Sequence, residues 1–137
     1  MAYWLVKSEP FKYSWEDFVK QGTGMWDGVR NYQARNNLKS MKLNDLVFFY
    51  HSNEGKEIVG LAKVAREFYQ DPTTDNPNWV AVDLQPVEKF PQTVTLAQLK
   101  TDPRLENLAL VRHSRLSVTP VRDEEFDLIL ALAYGKD

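Results

Sequence analysis

The residues from Trp26 to Asn37, WDGVRNYQARNN, combine the side chains that recognition of a planar ligand requires. Trp26 and Tyr32 offer flat apolar faces, and two arginines offer forked donors that suit phosphates and the edges of bases. Three asparagines add paired donors and acceptors. A base-binding site needs a face for stacking, a partner for the base edge and positive charge for phosphate. A plainer interpretation remains open, in which the two aromatic residues belong to the core and the arginines to a solvated helix face.

Small and polar residues of this stretch predict a turn followed by a helix. Gly28 allows the backbone to turn where a side chain would obstruct it. Asn31 is a good N-cap, so we predict a helix that runs to about Ser40. One face of that helix is apolar and should pack inward, through Ala34, Leu38 and Met41. Another face is free for a ligand or for water and carries Tyr32, Arg35 and Lys39.

Two histidine–serine pairs, His51-Ser52 and His113-Ser114, raise the possibility of hydrolytic chemistry. Neighbours along a strand point to opposite faces, so neither pair is a ready-made base and nucleophile. The sequence also lacks the G-x-S-x-G motif of a nucleophile elbow. Pairing of His113 with Ser52, or of His51 with Ser114, remains possible in the fold. The alternative function is therefore a small enzyme that processes nucleotides or RNA with these four residues.

The composition argues against several other classes of site. There is no cysteine, which excludes disulfides and thiolate metal sites. The two histidines lie far apart and have no partner four positions away, so we expect no metal site. A glycine-rich phosphate loop is also missing, and we expect no cofactor.

Charge is distributed unevenly along the chain. The 137 residues carry a net charge of −2 and the sequence pI is about 5.7, so overall charge does not favour binding of nucleic acid across the whole surface. Cations without intervening acids nevertheless occupy two runs, Arg30 to Lys42 and Arg112 to Arg122. If the fold brings the runs together, they form a basic patch. We predict that this patch contains Arg30, Arg35, Lys39 and Arg115.

The length and the hydropathy pattern suggest one domain, residues 1–137, without membrane contact. No apolar run approaches the ~20 residues of a membrane span. Tyr3 already belongs to a predicted strand, so we expect no signal peptide. The expected location is the cytoplasm of a bacterium, or the nucleus in a eukaryote.

Short strands and helices alternate without regular βαβ units, which favours an α+β domain or a small mixed barrel. Strands are predicted at Tyr3–Lys7, 46–50, 57–69, 79–84 and 116–118. The run from Leu46 to Tyr50 is continuously apolar and should be covered on both faces. Gly60 indicates a bulge or a close approach to the backbone. Pro86 should end regular pairing or mark an edge.

Helix starts are marked by local signals. Ser14 with Asp17, and Thr95 with Gln98, resemble capping boxes. A turn or short helix is expected around Leu105 and Leu108, and the last helix should begin near Asp123.

Four motifs resemble those of the EVE domain family: YWLVKSEP from Tyr3, WDGVRNYQARN from Trp26, FYHS from Phe49 and SRLSV from Ser114. The resemblance covers nearly the whole chain, and its first two motifs are long and specific. Two positions differ from the usual pattern. His113 stands where the family usually has Gln, and Asn44 where it often has Gly.

The resemblance implies a PUA-like mixed β-pseudobarrel with helices packed around it, related to the YTH domains that hold a methylated RNA base. It also implies a non-catalytic module that recognises a modified nucleobase, chiefly modified cytosine in DNA or else a modified RNA base. Nucleic acid is then the expected partner. Carried over position by position, the base pocket would consist of Lys7, Ser8, Trp26, Asn31, Tyr50, His51, Ser52, Arg112 and Ser114.

Overall fold

The apolar runs of the sequence form one six-stranded sheet in the computed structural model, which describes residues 1–136. The strands are β1 (Tyr3–Ser8), β2 (Gly24–Trp26), β3 (Leu46–His51), β4 (Glu57–Gln70), β5 (Val80–Thr95) and β6 (Val118–Val121). Their order is β2-β5-β4-β3-β1-β6, with β1 and β3 parallel and the other pairs antiparallel. The predicted α+β, PUA-like class is confirmed, although the sheet is not a closed barrel, because the short strands β2 and β6 remain its edges.

Helices pack around this sheet, and three of them begin at the side-chain caps that the sequence indicates. They are α1 (Trp15–Gln21), α2 (Tyr32–Ser40), α3 (Leu96–Thr101), α4 (Ala109–Arg112) and α5 (Asp123–Ala133), with a 3-10 turn at Pro103–Leu105. Both predicted capping boxes are present, before α1 and α3. Asn31 caps α2, since its side-chain oxygen accepts the backbone N–H of Ala34 at 3.0 Å.

The sheet has a hydrophobic core on each face. Alternate residues of β3 enter opposite cores, with Val47 and Phe49 on one side and Phe48 and Tyr50 on the other. Residues of α1 and α2 cover the first core, whereas residues of α3, α4 and α5 cover the second. The prediction that this apolar strand is covered on both faces is therefore confirmed.

Gly60 combines both features that were predicted as alternatives. The pairing of β4 with β5 shifts register between Ile58 and Gly60. A Cβ atom at Gly60 would lie 2.6 Å from the indole of Trp15. Because that ring is almost fully buried and packs edge-on against Phe49, it cannot easily move away.

Two strand predictions are wrong in extent. β5 does not end near Pro86 but continues to Thr95. The irregularity expected at the proline is present in β5 itself, because Leu61 pairs with Glu88 and Ala62 with Pro86, which leaves Val87 as an extra residue. The last strand begins at Val118 rather than at residue 116, because the N–H of Leu116 closes a turn onto the carbonyl of His113. Strand extent depends here on the neighbouring strand, which local sequence does not reveal.

Candidate functional site

The parallel strands β1 and β3 end side by side, and two hollows open at this point. Lys7 lies opposite Tyr50, and Ser8 opposite His51. The N–H of Ser52 donates to the carbonyl of Ser8 at 2.9 Å, which ties the two strand ends together. Lys7 contributes to the lining of both hollows.

The first hollow has a volume of about 510 Å³ and an aromatic wall. Trp26 forms part of that wall and is held by edge-on contacts with Tyr13, Phe18 and Phe49, whose ring centroids lie 5.9, 6.4 and 5.6 Å away. A tryptophan fixed on three sides keeps its orientation when a ligand enters. The complete lining is Lys7, Ser8, Glu9, Lys12, Tyr13, Gln21, Met25, Trp26 and Asp27.

Polar groups around the first hollow are held by one another. The Ser8 hydroxyl donates to the carbonyl of Tyr13 at 2.5 Å, and the Tyr13 hydroxyl donates to Gln21. Burial raises the pKa of Tyr13, and the nearby carboxylate of Asp17 adds to this effect, so its hydroxyl remains a donor. The first hollow thus offers polar groups beside an aromatic wall, among them the carboxylates of Glu9 and Asp27.

The second hollow, of about 360 Å³, is cationic. Its lining includes three lysines and no acidic residue: Lys7, Tyr50, Ser52, Asn53, Lys56, Leu96, Lys100, Leu110, Val111 and Ser114. Hydroxyl, amide and ammonium groups over an apolar floor are suited to an anionic group.

Lys7 lines both hollows and is hydrogen-bonded to Ser114 of the second one. Its ammonium donates to the carbonyl of Ser114 at 2.5 Å. Burial lowers the pKa of Lys7 from its ordinary value of 10.5. An ammonium group has three N–H donors, so Lys7 keeps donors for a ligand after this bond is made.

The structure distributes most of the predicted pocket residues between the two hollows. Lys7, Ser8 and Trp26 line the first, whereas Lys7, Tyr50, Ser52 and Ser114 line the second. Trp26 therefore does not share one cavity with the two serines. The reason is the two-sided core, because Trp26 belongs to one face of the sheet and Tyr50 to the other.

Three of the predicted pocket residues, Asn31, His51 and Arg112, line neither hollow. The side-chain oxygen of Asn31 caps α2. The Nε atom of Arg112 donates to the carbonyl of Glu106 at 2.8 Å. Nε2 of His51 accepts the backbone N–H of Trp15 at 3.1 Å, at the start of α1.

His51 is consequently held as a neutral acceptor. Burial lowers its pKa below the ordinary value of 6.5, outweighing the opposite effect of the carboxylates of Glu16 and Glu57. The nitrogen that binds Trp15 is not available to take a proton from a serine. His113 lies on an exposed turn after α4.

The predicted basic patch is partly occupied by internal contacts. Arg30 donates to Asp71 at 2.9 Å and lies over the ring of Trp79. Arg35 donates to the carbonyl of Asn78 at 3.1 Å and lies over the exposed ring of Tyr32. Lys39 lies over Phe68, and Arg115 is exposed. None of these four cations lines either hollow.

Asp71 explains why Arg30 faces the protein. Its carboxylate is fully buried and accepts from the N–H of Gly28 at 2.8 Å as well as from Arg30 and Thr73. Burial alone would raise its pKa, but the hydrogen bonds from Thr73, Arg30 and Gly28 outweigh that effect and hold the pKa well below its usual range. Gly28 has φ +74°, so the predicted turn is present and this carboxylate fixes it.

Several lining residues were not predicted from the sequence. Asp27 lies within the second motif, directly after Trp26, and Tyr13 lies three positions after the end of the first motif; this proximity in sequence was the available signal. No sequence signal pointed to Lys56, in the hairpin loop, or to Lys100, in the last turn of α3. The two lysines lie on separate elements that meet only in the fold.

Comparison with known proteins identifies the family. The family model described as EVE domain matches residues 2–132. This chain belongs to the EVE domain family. Mouse thymocyte nuclear protein 1 is 42% identical, with 95% of this chain and 73% of the relative aligned.

Solved EVE-family structures are also similar. A crystal structure of an Agrobacterium tumefaciens protein matches with a TM-score of 0.95 and 46% identity, covering 97% of this chain and 93% of that one. A human THYN1 structure matches with a TM-score of 0.91 and 40% identity, covering 97% and 98%, and that protein is in complex with DNA containing 5-methylcytosine.

Across residues 1–136, no three His, Asp or Glu side chains are grouped so that they could hold a metal ion. Within the same range, every helix is too short or too polar to cross a membrane.

Proposed function

We propose that this chain is a single-domain module that recognises a modified base in nucleic acid and binds it without turnover. The observation that carries the proposal is the pair of adjoining hollows at the ends of β1 and β3, one aromatic and one cationic, with Lys7 shared between them. The DNA-bound state of a human relative that is 40% identical supports DNA containing 5-methylcytosine as the first ligand to test. Such a module acts where nucleic acid is found, in the bacterial cytoplasm or the eukaryotic nucleus.

In this proposal the base enters the first hollow. Tyr13 and the exposed 8% of Trp26 provide the aromatic surface. Ser8, Glu9 and Asp27 face the polar edge of the base. A base removed from a duplex needs such a combination of stacking and edge contacts. Stacking contributes about 1–3 kcal/mol per base, and one unpaired buried polar group costs about 1–3 kcal/mol. Since about 1.4 kcal/mol corresponds to a tenfold change in affinity, a pocket of this kind distinguishes two bases by one or two orders of magnitude.

The phosphate next to the base would occupy the second hollow. Lys56 and Lys100 supply charge there, Ser52 and Ser114 supply hydroxyl groups, and Lys7 reaches both ligand parts. Phosphate contacts add affinity without sequence information and make that affinity depend on salt. The cationic hollow therefore complements a base site that would bind weakly alone.

A binding titration tests the two parts separately. Duplexes carrying plain, methylated or hydroxymethylated cytosine are titrated with the protein at several salt concentrations. Asp27→Asn should reduce the preference among the bases, because it changes only an edge contact. Lys56→Ala combined with Lys100→Ala should weaken binding to all duplexes alike and reduce the salt dependence, with a slope change of about two for two lost phosphate contacts.

The matched control is Lys20→Ala combined with Lys136→Ala, which removes the same charge from residues that line neither hollow. This control should bind like the natural protein. Equal and salt-insensitive binding of the natural protein to all three duplexes would exclude the proposed function.

The absence of turnover is proposed because Nε2 of His51 is occupied by the N–H of Trp15 and does not face Ser52 as a base. Incubation with nucleotides and short RNAs, followed by mass analysis, checks this. Conversion that disappears in a His51→Ala, His113→Ala double variant would instead establish the enzymatic alternative.

A further inference from the structure

Phe11 is 86% exposed, the highest value among the large apolar side chains of residues 1–136 that lie on the surface. Phenylalanine normally buries its ring, because removing apolar area from water lowers the free energy of the folded protein. The aromatic contacts that order the first hollow involve Tyr13, Phe18 and Trp26 and leave Phe11 outside them. Packing within the protein therefore does not account for an aromatic residue at this position.

The turn that carries Phe11 is firmly held. The carbonyl of Glu9 accepts the N–H groups of Lys12 and Tyr13 at 3.0 and 2.9 Å. The carboxylate of Glu9 accepts a hydrogen bond from the side-chain amide of Asn53 at 2.8 Å. Pro10 adds a fixed φ. The ring is thus presented to solvent by an ordered turn with bonds at both ends.

This turn forms the rim of the first hollow. Glu9, Lys12 and Tyr13 all line that hollow, while Phe11, between them in sequence, does not. Lys12, the next residue in the chain, is exposed, and its ammonium lies 3.5 Å from the carboxylate of Glu9, a surface ion pair of small energy. The turn therefore presents an apolar ring at the mouth of the pocket, next to an exposed lysine.

We infer that Phe11 is the wedge that enters the base stack of a duplex when the base moves into the first hollow. The inference rests on the proposed function. A base that leaves the helix opens a gap and loses stacking on both sides, and proteins that deform duplexes commonly fill such gaps with an apolar side chain. The gain from filling the gap offsets part of the cost of removing the base.

The test compares two DNA substrates by fluorescence anisotropy. One duplex carries a single 5-methylcytosine opposite guanine, and the other carries it opposite an abasic site, where the base is already poorly held. Phe11→Ala should weaken binding to the paired duplex about tenfold, the size of one lost stacking contact. The same variant should bind the abasic duplex within about twofold of the natural protein, since less unpairing is required there. Phe11→Trp should retain binding to both.

Leu43→Ala serves as the control, because Leu43 is also an exposed apolar residue but precedes the start of β3, whereas the two hollows lie at the other end of that strand. It should bind both duplexes like the natural protein. Equal loss on the two duplexes in Phe11→Ala, or no loss on either, would overturn the wedge while leaving base recognition intact. Failure of the natural protein to distinguish methylated from plain DNA would overturn the proposed function and the wedge together.

Discussion

At the scale of single residues, Asp71 controls the segment that carries Trp26 into the first hollow. Its buried carboxylate binds Gly28 and Arg30, which follow Trp26 by two and four positions in the chain. The proposed base site therefore depends on a residue that lines neither hollow. Loss of this carboxylate would free both the backbone turn and the guanidinium group.

Asp71→Asn tests this dependence. The amide nitrogen would face donors that now bind a carboxylate, so we expect the free energy of unfolding to fall by about 1–3 kcal/mol. Chemical denaturation measures the change. Asp75→Asn in the same loop is exposed and should stay within about 0.5 kcal/mol of the natural protein. Equal stability of the two variants would contradict the anchoring role.

His51 links stability to pH through its bond to Trp15. Because its folded pKa lies below 6.5, the unfolded chain binds a proton first as pH falls. The contribution of neutral His51 is therefore complete above the ordinary pKa and is lost as pH falls from that value toward the folded pKa. His51→Gln keeps an acceptor but does not titrate, so its Tm should fall less than that of the natural protein between about pH 7.5 and 5.5.

The exposed His113 provides the matching control for this experiment. His113→Gln should show the same fall in Tm as the natural protein over the same pH range. If His51→Gln also follows the natural protein, the bond from Trp15 does not require a neutral histidine.

At the scale of elements, the packing of α1 on β4 depends on a missing side chain. Gly60 admits the indole of Trp15, which a Cβ atom would contact at 2.6 Å. We expect Gly60→Ala to destabilise the fold by about 1–3 kcal/mol through overpacking. Denaturation of Gly60→Ala in the natural background and in Trp15→Phe measures the coupling. The cost should be smaller beside the shorter phenylalanine, and equal costs would show that the ring is not the obstacle.

The sequence predicts these elements best where the signal is local. Capping side chains fix the starts of α1, α2 and α3, and an unbroken apolar run identifies β3 as a covered strand. The extent of β5 was not predictable, because pairing with β4 carries it past Pro86. Local propensity is overridden there by the ladder on the neighbouring strand.

The candidate site was predictable in its residue types more than in its geometry. Trp26, Ser52 and Ser114 do lie at surface hollows, but the sheet separates the tryptophan from the two serines. Arg30 forms its ion pair with Asp71, a residue 41 positions away, and no local feature of the sequence predicts that pairing. Sequence motifs therefore identified candidates without revealing which cations face inward.

At the scale of the whole molecule, an acidic protein has one hollow that is lined by lysines without acidic residues. The net charge is −2, yet the second hollow contains three lysines and no acid among its lining residues. Nucleic acid would be directed to that hollow by local charge rather than by the overall field. In the proposed function, adjacent base and phosphate sites would give one orientation of the bound nucleotide.

The most direct measurement of the central claim is an NMR titration with the 5-methylcytosine nucleotide. The chain has four tryptophans, and each indole N–H gives its own signal. We expect the Trp26 signal to shift with ligand concentration, while that of Trp4, bonded to buried Asp45 at 3.1 Å, remains in place as the internal control. Saturable binding that shifts Trp79, on the surface beside Tyr32, and leaves Trp26 unchanged would contradict the account.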